Sequence, residues 1–221
     1  EGAATCECVK RRYARLLKEQ LSSVLPIEDQ NFGKFNLGYY STRMDPNMKD
    51  SPRENMEDNL YECKKYAKEF GENSPNLLMY GSTGLGKTFL STCIADAVSA
   101  RGFSVAYDTA INIIAAYETI KFGTGDGAAA AERAARYERA DLLIIDDMGT
   151  EMGTAFTVSA LYNLINNRLM AHRPMIVNTN LLPDELKKRY SPAVASRLLG
   201  EFKQLRFFGD DIRMLKSRMQ R

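Results

Sequence analysis

The sequence predicts a three-layer α/β fold around a parallel five-stranded sheet, on three observations. An octapeptide, GSTGLGKT (81–88), stands between the apolar run NLLMY and a helical pattern. A second run, LLIIDD (142–147), is four apolar residues closed by two aspartates. Around both, strand-like and helix-like segments alternate, the pattern of parallel strands joined by crossover helices. The 221 residues are 44% hydrophobic, enough for one sizeable core. Net charge is +2, so any nucleic-acid binding has to come from a local basic patch. No apolar run nears the roughly 20 residues of a membrane span, and no signal-peptide pattern opens the chain. Four scattered cysteines suit a reducing compartment, and a cytoplasmic location is expected.

Each element follows from its local pattern. The chain opens on Glu1 rather than Met, and a preceding region is expected. Residues 1–45 read as a basic amphipathic helix, CVKRRYARLLKEQL, and an aromatic linker, NFGKFNLGYYS (31–41); residues 46–221 read as the main domain. NLLMY (76–80) is a short buried strand. After the glycine loop, Leu90, Ile94, Ala97 and Val98 keep helical spacing as far as Gly102. SVAYDT (104–109) is a strand and AINIIAAYETIKF (110–122) a helix, broken by GTGDG. AAAAERAARYERA (128–140) is alanine-rich and helical. LLII suits a strand buried on both faces. Thr154 is a plausible N-cap for a long helix ending at His172. PMIVNTN (174–180) is the fourth strand, LPDELKKRY and SPAVASRLLG are short helices, and KQLRFF (203–208) is the fifth strand.

Two motifs carry chemistry. Gly81, Gly86, Lys87 and Thr88 match G-x-x-x-x-G-K-[ST] in the strand–loop–helix setting that this phosphate-binding loop requires. Glycines let backbone N–H groups turn inward on phosphates, and the following helix points its positive end at them. Gly81, Thr83, Gly84, Leu85, Gly86, Lys87, Thr88 and Phe89 are the candidate nucleotide-binding residues, with Lys87 for the phosphate charge. Thr88 and Asp146 are the candidate Mg²⁺ ligands, and Asp147 the group that orients or polarises an attacking water. An N-cap for the next helix accounts for one of the two aspartates but not for both. ATP and Mg²⁺ are therefore the expected cofactors, and Phe32, Phe35, Tyr39 and Tyr40 of the aromatic linker are expected to pack beside the adenine or under the sheet. Cys6 and Cys8 supply two ligands where a structural zinc site needs four, so zinc is not expected. Cys63 and Cys93 read as small packing residues in helices, and the lone His172 is assigned no chemistry.

The order of these landmarks resembles the AAA+ ATPases, in which a sensor asparagine on the fourth strand and an arginine finger ahead of the fifth complete the site. That resemblance implies Asn180, with Asn178 second, as the sensor, although a polar turn also fits Asn178–Asn180. It implies Arg197 as a finger reaching a neighbouring subunit's nucleotide, although a surface ion pair also fits it. About a dozen residues follow RFF, too few for the usual helical lid. A lidless core with IIDDMG looks like the bacterial replicative helicase loaders of the DnaC/DnaI type. The segments CECVKRRYARLLKEQ, NFGKFNLGYYS and FFGDDIRMLK are similar to that family's zinc-module exit, linker and closing segment. The last makes Arg213 a second candidate nucleotide-sensing arginine. By this resemblance the chain is a slow Mg-dependent ATPase that helps load a hexameric replicative helicase onto single-stranded DNA and self-assembles through Arg197. Lys121, Arg133 and Arg136 are candidate DNA phosphate contacts, with Tyr117 and Phe122 as stacking groups; a packing helix with solvated charges fits them equally. A transposition-helper ATPase of the IstB type shares the lidless core. A nucleotide-gated binding module with little turnover is the non-enzymatic alternative.

Overall fold

The structure, a computed structural model, describes Leu25 and residues 29–219. The basic helix expected at 8–21 and the Cys6–Cys8 pair lie outside the described residues. The elements in chain order are α1 (Pro52–Glu69), β1 (Asn76–Tyr80), α2 (Lys87–Ala100), β2 (Val105–Thr109), α3 (Ala110–Phe122), α4 (Gly127–Arg139), β3 (Leu142–Met148), α5 (Ala155–Met170), β4 (Met175–Thr179), α6 (Pro183–Arg189), α7 (Pro192–Gly200), β5 (Phe202–Arg206) and α8 (Ile212–Met219). A short 3₁₀ turn at Leu37–Tyr39 precedes them.

The five strands form one parallel sheet in the order β2-β3-β4-β1-β5. Alternate residues feed opposite faces. Leu77 and Met79 of β1, with Leu142 and Ile144 of β3, join Leu90, Ile94 and Val98 of α2 on one face. Leu78, Leu143 and Ile145 join Ile113 of α3, Leu161 of α5 and Val194 of α7 on the other. Leu142–Ile145 are wholly buried, as an apolar run covered on both sides must be.

Caps set the helix ends. Ser51 and Glu54 form a reciprocal capping box at the start of α1, and Thr154 caps α5 by accepting from the N–H of Thr157. Gly123 ends α3 in the left-handed region. Two helices fall outside the expected alternation. One is α1, of which the sequence indicated only the helical setting of Cys63. The other is α8, a short helix after β5. Among the described residues, no helix is long and apolar enough to cross a membrane.

Strand order does the work of positioning. β4 lies between β1 and β3, so its C-terminal tip falls between the glycine loop that follows β1 and the aspartates that end β3.

Candidate functional site

The glycine loop closes on its own lysine. Lys87 opens α2, and its Nζ donates to the carbonyls of Gly81 at 2.6 Å and Ser82 at 2.7 Å. The side chain is 5% exposed. Burial pushes the Lys87 ammonium down to about 8, while the nearby charges of Asp147 and Asp146 pull the other way. Gly84 and Gly86 hold positive φ of 72° and 98°. A side chain at Gly86 would come within 2.8 Å of the Tyr40 hydroxyl, and one at Gly84 would run into the Asp211 carboxylate.

Opposite the loop, Thr88 Oγ1 donates to Asp146, 3.1 and 3.2 Å from its two carboxylate oxygens. Asp146 is 4% exposed. Two further donors pin it: Asn178 Nδ2 at 2.8 Å and the Tyr107 hydroxyl. Asn178 also donates to Ser91 Oγ at 2.8 Å, tying β4 to α2. Asp147, the next residue, has φ of 51°. A non-glycine residue in the left-handed region is strained, and such residues cluster at functional sites. Burial raises its carboxyl, and the Asp146 charge adds to this.

The glycine loop and Asp147 border a cavity of about 340 Å³, lined by Thr83–Phe89, Asp147, Thr150, Asn180, Ile212, Arg213 and Lys216, and closed by Phe35, Asn36, Tyr39 and Tyr40. The aromatic segment is therefore part of the site wall. Tyr40 donates to the Leu85 carbonyl at 3.0 Å, and Phe35 packs against both Tyr40 and Phe89. From the far end of the chain, the N–H of Ile212 donates to the Gly84 carbonyl at 3.0 Å, which docks α8 on the loop. Lys216 of α8 sits 4.9 Å from the centre of the Tyr39 ring.

The donor set fits a nucleotide with Mg²⁺. A hydroxyl and a carboxylate converge as hard oxygen ligands, and Mg²⁺ uses one or two such groups with substrate phosphates for the rest. Consistent with that sparse set, no cluster of three or more His, Cys, Asp or Glu residues forms a metal cage among the described residues.

Of the two sensor candidates, Asn180 borders the cavity while Asn178 is buried behind Asp146. Arg213 borders it as well. Arg197 does not: it lies in the last turn of α7, beside a separate hollow that Asn76 and Pro174 line at the N-terminal ends of β1 and β4. Lys121, Arg133, Arg136 and Phe122 are exposed on α3 and α4, whereas Tyr117 is half-buried and donates to Glu138. Cys63 and Cys93 are buried free thiols. His172 is exposed, with φ of 50°.

Sequence reading missed three groups. Tyr107 reaches Asp146 from β2. Asp211 accepts from the N–H groups of Arg213 and Met214 and so caps α8 against Gly84. Glu151, 3% exposed, accepts from the Gly149 N–H at 2.8 Å and from the Tyr190 hydroxyl, which ties the turn after the aspartates to the α6–α7 junction. The only advance signal for Glu151 was its position two residues after Gly149.

Comparison with known proteins places this geometry. The profile of the IstB-like ATP-binding proteins matches residues 62–217, more than half of the chain. The chain belongs to this family. It is 25% identical to the replicative helicase loader DnaC of Escherichia coli K12 over 140 residues, 63% of this chain and 56% of DnaC. It is 27% identical over 125 residues to the ATP-binding protein Rv3427c of a Mycobacterium tuberculosis insertion sequence, covering 56% of this chain and 48% of that one. The chain thus spans about half the length of these curated relatives. The crystal structure of a DnaC helicase loader superposes with a TM-score of 0.66 at 16% identity, over 83% of this chain and 99% of that one. At that identity the likeness is one of fold, the AAA+ P-loop fold.

Proposed function

We propose that this chain is an ATP-binding and ATP-hydrolysing helicase loader that helps place a hexameric replicative helicase on single-stranded DNA. The observation that carries the ATPase reading is the convergence of Lys87, Thr88, Asp147 and Asn180 on one cavity, with Asp146 bonded to Thr88 beside it. Lys87 and the inward N–H groups of the loop hold the phosphates. Thr88 and Asp146 would hold Mg²⁺, which when bound would supply neutralisation of the phosphate charge. Asp147 orients or polarises the attacking water, and Asn180 holds the terminal phosphate or that water in line. Arg213 adds charge from the same chain. Arg197, away from its own cavity, serves a neighbouring subunit. The loader assignment draws on the similarity to DnaC, and the exposed Lys121, Arg133 and Arg136 offer the strand a basic surface.

A second reading, a transposition-helper ATPase, is favoured by the family profile and by the insertion-sequence relative. Co-purification with a hexameric replicative helicase, with and without ATP, separates the two. A loader binds the hexamer, and ATP changes the amount retained. Absence of binding in both conditions removes the loader reading and leaves the transposition helper.

A further inference from the structure

Arg197 is tied inward to α5. Its Nε and Nη2 both donate to Asn166 Oδ1, the former at 3.1 Å, and Nη2 also donates to the Tyr162 hydroxyl at 3.1 Å. The guanidinium carbon lies over the Tyr162 ring, 4.9 Å from its centre. Tyr162 and Asn166 are four residues apart on α5 and so share one face of it. The contact is half-buried rather than a loose surface pair.

The chemistry of the two acceptors matters. The Nε–Nη2 edge is a fork with which arginine reads phosphate bidentately. Here that fork is spent on a single amide oxygen, with a phenol beside it. Both partners are neutral. The guanidinium is charged in either case, but a phosphate oxygen adds the attraction of an opposite charge to the same hydrogen bond, which an amide or a phenol cannot supply. Such a ligand can therefore displace Asn166, whereas a carboxylate at the same position would compete with it on equal terms.

We propose that Asn166 and Tyr162 are positioning residues that cage Arg197 in the free subunit and yield it to a neighbour's nucleotide on assembly. The inference rests on the reading of Arg197 as a finger acting in trans. The free subunit keeps the guanidinium fork ordered and partly desolvated, and assembly exchanges a neutral acceptor for a phosphate.

The test follows ATP turnover per subunit against protein concentration for the wild-type chain and for Asn166→Asp, Tyr162→Phe and Arg197→Ala. ATP affinity and melting temperature are measured for each. Asn166→Asp is expected to bind ATP like the wild type and to melt no lower than it, since an ion pair fastens α7 to α5 more firmly, while its assembly-dependent turnover falls about tenfold, the order that an ionised acceptor in place of a neutral one brings in a half-buried contact. Tyr162→Phe keeps the ring and removes one acceptor, so its turnover should rise at lower protein concentration. Opposite shifts from two partners of one side chain mark a cage, because a packing defect lowers both. If both variants follow the wild-type curve while Arg197→Ala stays flat, the cage is overturned and the finger stands. If Arg197→Ala rises like the wild type, the finger fails and the cage falls with it.

Discussion

At the scale of single residues, Lys87 is where the proposed phosphate contact can be tested. It is buried among the loop's carbonyls, and burial lowers it to about 8. In the nucleotide-free protein a growing share of Lys87 is neutral as the pH passes that value. Against a phosphate the ammonium is held charged. The complex then binds more protons than the free protein above about pH 8, so affinity should weaken as pH rises through that point. Titration calorimetry in two buffers of different ionisation enthalpy reads this directly. Net proton uptake on ATP binding is expected above pH 8 and should vanish near pH 6.5, roughly 1.5 units below the point where Lys87 titrates. Equal uptake at both values would separate it from Lys87. The position of Lys87 at the junction of loop and helix was legible because the motif is local: Gly81 to Thr88 are contiguous. Tyr107 was not legible. It meets Asp146 across 39 residues and a strand pairing, and no spacing rule in β2 distinguishes it from a core tyrosine.

Elements explain why the loop is held as it is. α8 starts on the glycine loop, with Ile212 bonded to Gly84 and the Asp211 carboxylate wedged where a Gly84 side chain would stand. Asp211 cannot swing away freely, since it also accepts from the N–H groups of Arg213 and Met214 in the first turn of α8. Gly84→Ala therefore imposes two costs. The left-handed φ of 72° costs an L-residue roughly 1–2 kcal/mol, and the displaced Asp211 uncaps α8, at about 1 kcal/mol. The variant should melt earlier by denaturation and bind ATP more weakly, because Arg213 moves with α8. A melting curve matching the wild type would show that the α8 contact carries no stability. The alternation of strands and helices was readable from periodicity, and α3 begins and ends where the sequence put it, at Ala110 and Phe122. α8 escaped because IRMLKSRM carries one polar stripe and leans on a loop more than a hundred residues earlier, a partner that local pattern does not reveal. The aromatic linker was legible in part, since its rings were expected to pack beside the adenine or under the sheet. Phe35 and Tyr40 are plainly apolar, but only the folded chain puts the Tyr40 hydroxyl on Leu85.

At the scale of the whole molecule, the proposed role of Arg197 calls for a second subunit. Arg197 lies on α7, outside the cavity that holds Lys87 and Asp147, and Glu151 and Tyr190 link the turn after Asp147 to the start of that helix. A site that lacks its own finger hydrolyses slowly, and a finger completing it from a neighbour is worth about 10³–10⁵ in rate. Turnover per subunit should therefore rise with protein concentration, or with single-stranded DNA if the strand gathers subunits. Arg197→Ala should bind ATP normally and lose that rise, while Lys87→Ala should fold but fail to bind. Mixing the two variants is the decisive experiment. The Lys87 variant contributes an intact Arg197 without an active site of its own, and the Arg197 variant contributes an active site without a finger. Turnover in the mixture should exceed the sum of the two alone and pass through a maximum as their ratio is varied. A mixture that never exceeds that sum, together with wild-type turnover independent of concentration, would place Arg197 in the fold of its own chain: its bonds to Asn166 and Tyr162 would then be simply how α7 is fastened to α5.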